Sequence, residues 1–394
     1  MSSSSSHAPS LASHSCKASA LPPWGVYVHV PWCRRRCVYC DFVLSVGKAD
    51  ERFVPTVLRE ADARAEQCPK TAAQSLYFGG GTPTHVGASG LEELIGGLRE
   101  RLPFVDDFEC TVEANPEDLT QEMCDALARA GVTRLSIGMQ SFDDDVLRSL
   151  GRKHRGKDAR VALERALAFA NVSCDLIIGV PSAGKERLSR DLKQLIESNV
   201  GHISTYMLTV EVDTTLHKLV QLKRRDDVDE DHQADEYEQV QRTLSEAGLR
   251  QYEISSFAKP GQESRHNRLY WGKGTWLGFG PGAHSLQMLD GGGHLRTHHD
   301  DDVDAWVAKL QPEYEEQLSA EQALVESLAF GLRDLLAGVS VTGLETRCGT
   351  SLPQKAKVQL AQEVAVGNVR ADDDVYFLTS QGVLFADAIA RRLL

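Results

Sequence analysis

From residue 25 onward, apolar and polar positions follow two alternating periods. Short β-branched runs lie at 25–31, 75–78, 108–113, 134–140, 172–179 and 202–210. Several are apolar on both faces, as a parallel sheet covered by helices demands. Between them, residues 52–67, 89–102, 120–130, 158–170, 186–198 and 233–247 repeat apolar side chains at helical spacing. Six βα units in series predict an α/β fold whose parallel sheet curls into an open partial (β/α)6 barrel over residues 24–250. The pattern alone is also compatible with a doubly wound sheet. Near residue 250 the rhythm breaks. Residues 251–316 are expected to be Gly- and aromatic-rich loops forming a closing segment, and 317–394 a small helical C-terminal domain with a short strand. Residues 1–23 are Ser-rich and contain neither acid nor arginine. They fit a disordered leader or a targeting peptide and stand outside the fold argument.

Composition narrows the function classes. The 394 residues carry a formal net charge of −13, with 42% apolar and 25% charged residues, ordinary values for a globular chain. The acidic balance argues against a dedicated nucleic-acid binder, which needs clustered Lys and Arg. No stretch reaches the roughly 18–20 uncharged apolar residues of a membrane helix. Nine cysteines, an odd count without a secretory apolar segment before them, fit a reducing compartment, cytoplasm or mitochondrion. The acidic run Asp226, Asp227, Asp229, Glu230 and Asp231 reads as a solvated loop and helix start.

Three cysteines are unlike the rest. Cys33, Cys37 and Cys40 have the spacing C-x3-C-x2-C, directly after the first strand run. Three thiolates so spaced can hold three corners of an iron–sulfur cube, and Arg34, Arg35 and Arg36 are expected to lower their pKa values. Structural zinc normally wants a fourth ligand, and a Cys37/Cys40 redox pair would leave Cys33 unexplained. Both alternatives stay open at this level. Three ligands for four irons would leave one iron free for a small molecule.

Residues at other strand ends extend the pattern. Gly79-Gly80-Gly81-Thr82-Pro83 follows the second strand, where glycines bring backbone N–H groups close to a ligand. Glu113, Gln140 and Asp175 lie in or at the ends of the third, fourth and fifth strands, costly places for an unpaired carboxylate. Parallel α/β folds bind ligands at such ends. Gly179–Lys185 fits G-x4-G-K, but Glu186 replaces the magnesium-binding hydroxyl and Pro181 removes a donor, so a phosphate loop is not expected.

On these motifs the chain resembles the radical S-adenosylmethionine (SAM) superfamily, in its oxygen-independent coproporphyrinogen III oxidase-like branch. The resemblance implies a 4Fe-4S cluster on Cys33, Cys37 and Cys40. It also implies SAM contacts from Tyr27, Tyr39, Gly80, Gly81, Thr82, Glu113, Gln140, Arg152 and Asp175. Within the branch, true coproporphyrinogen oxidases carry a further cysteine where this chain has Phe42. The segment Cys40-Asp41-Phe42 is similar to HemW-type haem chaperones instead. So is His266-Asn267-x2-Tyr270-Trp271, which implies a haem site with His266 as candidate ligand and Tyr270 and Trp271 as stacking surfaces. Arg265 or Arg268 would meet propionates, and His284 is a second candidate. The implied function is haem binding and transfer to respiratory acceptor haem proteins, membrane-associated ones included, and a homodimer is compatible with it. The enzyme alternative is oxidative decarboxylation of coproporphyrinogen III. The C-terminal run Leu378–Gly382 resembles the branch's winged-helix-like domain. His294, His298 and His299, beside Gly291–Gly293, are expected to be solvated loop histidines.

Overall fold

The computed structural model describes residues 22–394 apart from Ser182 and Lys185. The leader expected at 1–23 therefore lies almost wholly outside the described residues. Principal strands are β1 (Trp24–Val30), β2 (Ala73–Gly80), β3 (Phe104–Ala114), β4 (Arg134–Gln140), β5 (Asn171–Ile178) and β6 (His202–Met207). The helices between them are α1 (Phe53–Ala63), α2 (Ala88–Arg101), α3 (Gln121–Arg129), α4 (Gly156–Ala166), α5 (Arg187–Glu197) and α6 (Glu230–Glu246). Each falls on a segment with the matching period, because burial on both strand faces and on one helix face is what the sequence encodes. Asp229 caps α6, accepting from the N–H groups of Asp231 and His232, so part of the acidic run does start a helix.

The sheet is wider than six strands. Residues expected as closing loops supply β7 (Arg250–Gln251), β8 (Ser256–Ala258), β9 (Thr275–Phe279), β10 (His284–Met288), β11 (His294–His298) and β12 (Tyr314–Leu318). The spatial order is β12-β11-β10-β9-β1-β2-β3-β4-β5-β6-β8-β7. Strand β9 runs parallel to β1, pairing Tyr27 with Gly278, so seven strands are parallel. Pairing to β8 and β10 is antiparallel, and β7, β11 and β12 continue those two edges. Glycines masked the signal: Gly278 packs against the His284 carbonyl, where an added Cβ would lie 2.2 Å away.

A buried polar network fastens this extension to the barrel. Glu60 of α1 accepts from Arg64 Nη1 at 2.8 Å, Gly280 N at 3.0 Å and Trp306 Nε1 at 2.9 Å. His299 Nε2 lies 2.9 Å from the same carboxylate, and Arg64 also donates to the Gly278 carbonyl at 2.6 Å. Burial alone would raise the Glu60 carboxyl, yet His299, Arg64 and the Gly280 N–H outweigh it and hold the pKa below the ordinary range. These partners correct the expectation of solvated histidines. His299 is fully buried, His294 is 7% exposed, and β11 carries His294 and His298 as strand residues.

The C-terminal region has helices α7 (Ala320–Gly331), α8 (Val341–Cys348), α9 (Gln354–Ala365) and α10 (Ala386–Leu393). Three short antiparallel strands accompany them: Val339–Ser340, Val369–Asp372 and Val375–Leu378. Its apolar side chains join the same core as the barrel.

Candidate functional site

The parallel strands end around a cavity of about 560 Å³. The loop after β1 brings Cys33, Cys37, Tyr39 and Cys40 to its wall, and the end of β2 brings Gly80, Gly81 and Thr82. Glu113 from β3, Gln140 from β4, Asp175 from β5 and Arg152 after β4 face the same space. Residues from six separate stretches, up to 142 positions apart between Cys33 and Asp175, thus meet as the strand-end pattern predicted. Tyr27 does not line the cavity; its hydroxyl turns to His29 Nδ1 at 3.1 Å within the barrel.

The cysteine loop is held from several sides. Its backbone is tied by Val38 N to Leu150 O at 3.3 Å, Ser45 N to Pro31 O at 2.6 Å and Gly47 N to Cys33 O at 3.1 Å. Arg36 donates to the carbonyls of Cys40, Phe42 and Leu44, clamping the loop's second half. Arg34 is engaged elsewhere, with Asp118 at 2.7 Å. Burial pushes the Cys33 and Cys40 thiols up, and the charge of Arg36, which pulls Cys40 down as expected, does not outweigh it. Cys33 Sγ lies 3.2 Å from Thr82 Oγ1, and the arginine that reaches a sulfur is Arg152, 3.6 Å from Cys37 Sγ. A bound metal would supply the positive charge that makes such thiols thiolates.

The glycines act by close approach more than by free donors. Gly81 N–H is already bonded to Val30 O at 2.8 Å, and Gly80 N–H to the Glu113 carboxylate. A Cβ at Gly81 would meet the Trp32 and Val30 carbonyl oxygens at 2.8 Å. Gly80 sits at φ +100° with His29 packed against it, a conformation that glycine adopts without strain.

Two carboxylates in this cavity are far from ordinary. Burial pushes Glu113 up to about 7; nearby Asp175 adds to the rise, against hydrogen bonds from Tyr77 and Gly80. Burial likewise lifts Asp175 to about 6, against Ser204, Arg134 and Ser136. Tyr77 donates to Glu113 at 2.7 Å. Gln140 takes φ +63° at the end of β4, where the register with β5 also shifts. Strain of this kind persists where surroundings over-determine the residue. Such a wall, with paired carboxylates opposite an arginine that stays protonated, can bind a ligand carrying both an amine and a carboxylate.

Sequence reasoning passed over three contributors. Asn115 bridges the site, donating to Thr82 Oγ1 at 3.0 Å and accepting from Arg152. Arg333 and Asp387, paired at 2.7 Å, come from the C-terminal region and wall off one end. Asn115, directly after a strand-end acid, had a positional signal; the other two are brought in only by the packing of α7 and α10.

The other candidates lie elsewhere. His266 is fully buried in the barrel interior near the start of β2, with Nδ1 2.8 Å from Ser75 Oγ and Nε2 2.9 Å from Tyr270 OH. It stacks on Tyr77 at 5.0 Å, and burial lowers its pKa to about 3. Arg265 pairs with Asp107 and Arg268 with Asp334, each at 3.1 Å. His284 stacks on His298 at 4.1 Å. Tyr270 and Trp271 instead line a second, smaller cavity. In the rejected phosphate loop, Gly179 N–H is occupied by Glu236 at 2.6 Å.

Comparison with known proteins agrees with this geometry. The radical SAM superfamily profile matches residues 27–195. The haem chaperone HemW of Escherichia coli strain K12 is 32% identical over 94% of this chain and 97% of its own length. The haem chaperone HemW of Mycobacterium tuberculosis strain CDC 1551 is 34% identical over 94% and 95%. The mouse radical S-adenosyl methionine domain-containing protein 1, mitochondrial, is 34% identical over 94% of this chain and 83% of its own. Among solved structures, E. coli coproporphyrinogen III oxidase superposes with a TM-score of 0.79 over 95% of this chain and 90% of that one, at 21% identity, a likeness of fold.

Proposed function

Because this chain belongs to the HemW family of radical SAM proteins, we propose that it binds a 4Fe-4S cluster, SAM and haem, and passes the haem to acceptor haem proteins. The observation that carries the reading is the convergence of Cys33, Cys37 and Cys40 on one cavity with Gly80, Gly81 and Arg152, in a chain related to HemW proteins along nearly all its length. The donor set fits the cluster: three sulfurs for three irons, the fourth left open to SAM. When bound, the cluster supplies an electron to the sulfonium. The chain's own part is positioning. Arg152 holds the Cys37 side of the loop, Thr82 the Cys33 side, and Gly80 and Gly81 let the methionine end of SAM approach backbone. Glu113 and Asp175 face its cationic groups, with Tyr39 and Gln140 on the cavity wall.

Phe42, 58% exposed, stands where the resemblance places a further cysteine in coproporphyrinogen oxidases. That favours haem handling over porphyrinogen oxidation. Among the described residues no helix is long and apolar enough to cross a membrane. Cytoplasm and mitochondrion both fit, and a homodimer is compatible with the reading.

The test is anaerobic. Reconstituted protein should carry close to four irons per chain, shift the Soret band of added haemin, and form no protoporphyrinogen from coproporphyrinogen III with SAM and reductant. Turnover in the last assay would replace the chaperone reading by the oxidase one.

A further inference from the structure

The segment that follows β3 reads Asn115-Pro116-Glu117-Asp118 and sets three polar side chains in four positions beside the main cavity. Pro116 opens a single 3-10 turn, Pro116–Asp118, held by Asp118 N to Asn115 O at 3.0 Å and Leu119 N to Pro116 O at 3.3 Å. Proline suits that first position, because its fixed φ is already helical and its missing N–H is not needed there. At three residues per turn, successive side chains leave the axis about 120° apart. Glu117 and Asp118 are therefore sent to different neighbours.

Each neighbour is a segment that carries residues of the candidate site. Asn115 donates to Thr82 Oγ1 at 3.0 Å in the glycine loop and accepts from Arg152. Glu117 lines the cavity, and its carboxylate lies 3.3 Å from His154 Nδ1. The other nitrogen of that imidazole, Nε2, is 3.0 Å from the Met139 carbonyl on β4. His154 itself follows Arg152 by two positions. Asp118 pairs with Arg34 at 2.7 Å, directly after Cys33, and accepts from Thr84 Oγ1 at 3.2 Å. One turn thus touches the cysteine loop, the glycine loop and the Arg152 segment.

Burial decides which partner is the fixed one. Asp118 is 6% exposed, a costly place for a carboxylate unless it is paired, whereas the Arg34 side chain is 55% exposed. The arginine is therefore drawn to the turn, and the start of the cysteine loop with it. Burial alone would raise the Glu117 carboxyl, yet His154, the backbone and Arg152 outweigh it and hold the pKa below the ordinary range. Glu117 is thus an anion between His154 and the arginine that reaches Cys37 Sγ.

We infer that this turn registers the cysteine loop against the SAM wall, with Glu117 and Asp118 as positioning residues. Asp118 fixes the Cys33 side through Arg34, and Glu117 fixes the Cys37 side through His154 and Arg152. The inference rests on the cluster and SAM reading above and adds the element that couples the two. Among the described residues neither carboxylate is bonded to a cysteine sulfur, so its loss leaves all three sulfurs in place and alters how they face SAM.

The experiment titrates SAM into the anaerobically reconstituted, dithionite-reduced full-length protein and follows the SAM-induced change in its electron-paramagnetic spectrum. The variants are Asp118→Asn, Glu117→Gln, Arg34→Ala, Arg34→Lys and the double variant Asp118→Asn with Arg34→Ala. Asp118→Asn keeps an acceptor for Thr84 and removes only the charge that faces Arg34. Iron content should stay at the wild-type level, while Asp118→Asn, Glu117→Gln and Arg34→Ala each need about tenfold more SAM for the half-maximal change. The double variant should be no worse than the weaker of its two singles, since both break one contact. Arg34→Lys, which keeps the charge, should recover part of the loss. General loosening of the fold would not give a shifted SAM titration at unchanged iron content. Wild-type titrations in the three single variants, or losses that add in the double, overturn the inference. So does iron loss with an unchanged SAM titration of the remaining cluster, which marks a role in the fold alone. A wild-type protein that takes up no iron, or whose spectrum ignores SAM, removes the cluster and SAM reading itself.

Discussion

Arg152 and Cys37 are 115 positions apart, yet the guanidinium lies 3.6 Å from the sulfur. The same side chain donates to the Gly138 carbonyl at 2.8 Å and to Asn115, so the cysteine loop is referenced to the ends of two strands. Arg152→Ala should leave the three cysteines able to take up iron, since none is replaced. It should weaken the SAM-induced change in the reduced cluster's electron-paramagnetic spectrum by about ten- to a hundredfold in SAM concentration, because charged hydrogen bonds contribute about 1.5–3 kcal/mol each. Arg152→Lys should recover little, having lost the planar fork.

Gly81 gives a steric test of the same loop. Gly81→Ala sets a methyl against two backbone carbonyls at 2.8 Å, and neither can move without shifting the cysteine loop. Overpacking of this kind costs about 1–3 kcal/mol. The expected result is a lower melting temperature together with fewer irons per chain after reconstitution, measured by calorimetry and iron assay.

Glu113 sets a pH dependence in the cluster-free, SAM-free protein. With its folded pKa raised to about 7 from an ordinary 4.5, the native state holds a proton that the unfolded state has lost between those values. Stability from this group is therefore full below about 4.5 and is lost as pH rises to about 7, with no further change above. Chemical denaturation at intervals across that window should show the downward slope, and Glu113→Gln should reduce it. An identical slope in the variant would contradict the assignment.

The Glu60 network predicts the opposite sign. Its carboxyl is held below the ordinary range, so its stabilising contribution is present above about 4.5 and is lost as pH falls through the lower folded value. Glu60→Ala leaves Trp306 Nε1 and the Gly280 N–H buried without their acceptor and the buried Arg64 without its carboxylate, and should cost about 3–5 kcal/mol. The loss should appear as a lower unfolding midpoint in urea, and Glu60→Gln, which keeps an acceptor oxygen, should recover part of it.

The barrel was legible because each of its strands and helices buries a face that local periodicity records. Strand β4 was expected at 134–140 and occurs at Arg134–Gln140. The cysteine spacing and the strand-end acids were legible for a related reason: a parallel sheet delivers all its carboxyl ends to one side. The extension β8–β12 was not, because its glycines and histidines carry no apolar alternation, and Gly278, Gly280 and His299 take their places only against α1.

Sequence by itself determined the α/β order, the three-sulfur loop and the residues gathered at one mouth, since these depend on short-range period and on chain direction. Tertiary structure alone decided that Tyr27 and His266 face inward and that His299 is buried on Glu60. It alone left His294 Nδ1 buried without a hydrogen bond among the described residues. Whether a polar side chain is solvated, satisfied or orphaned depends on which distant segments close over it, and no local pattern encodes that.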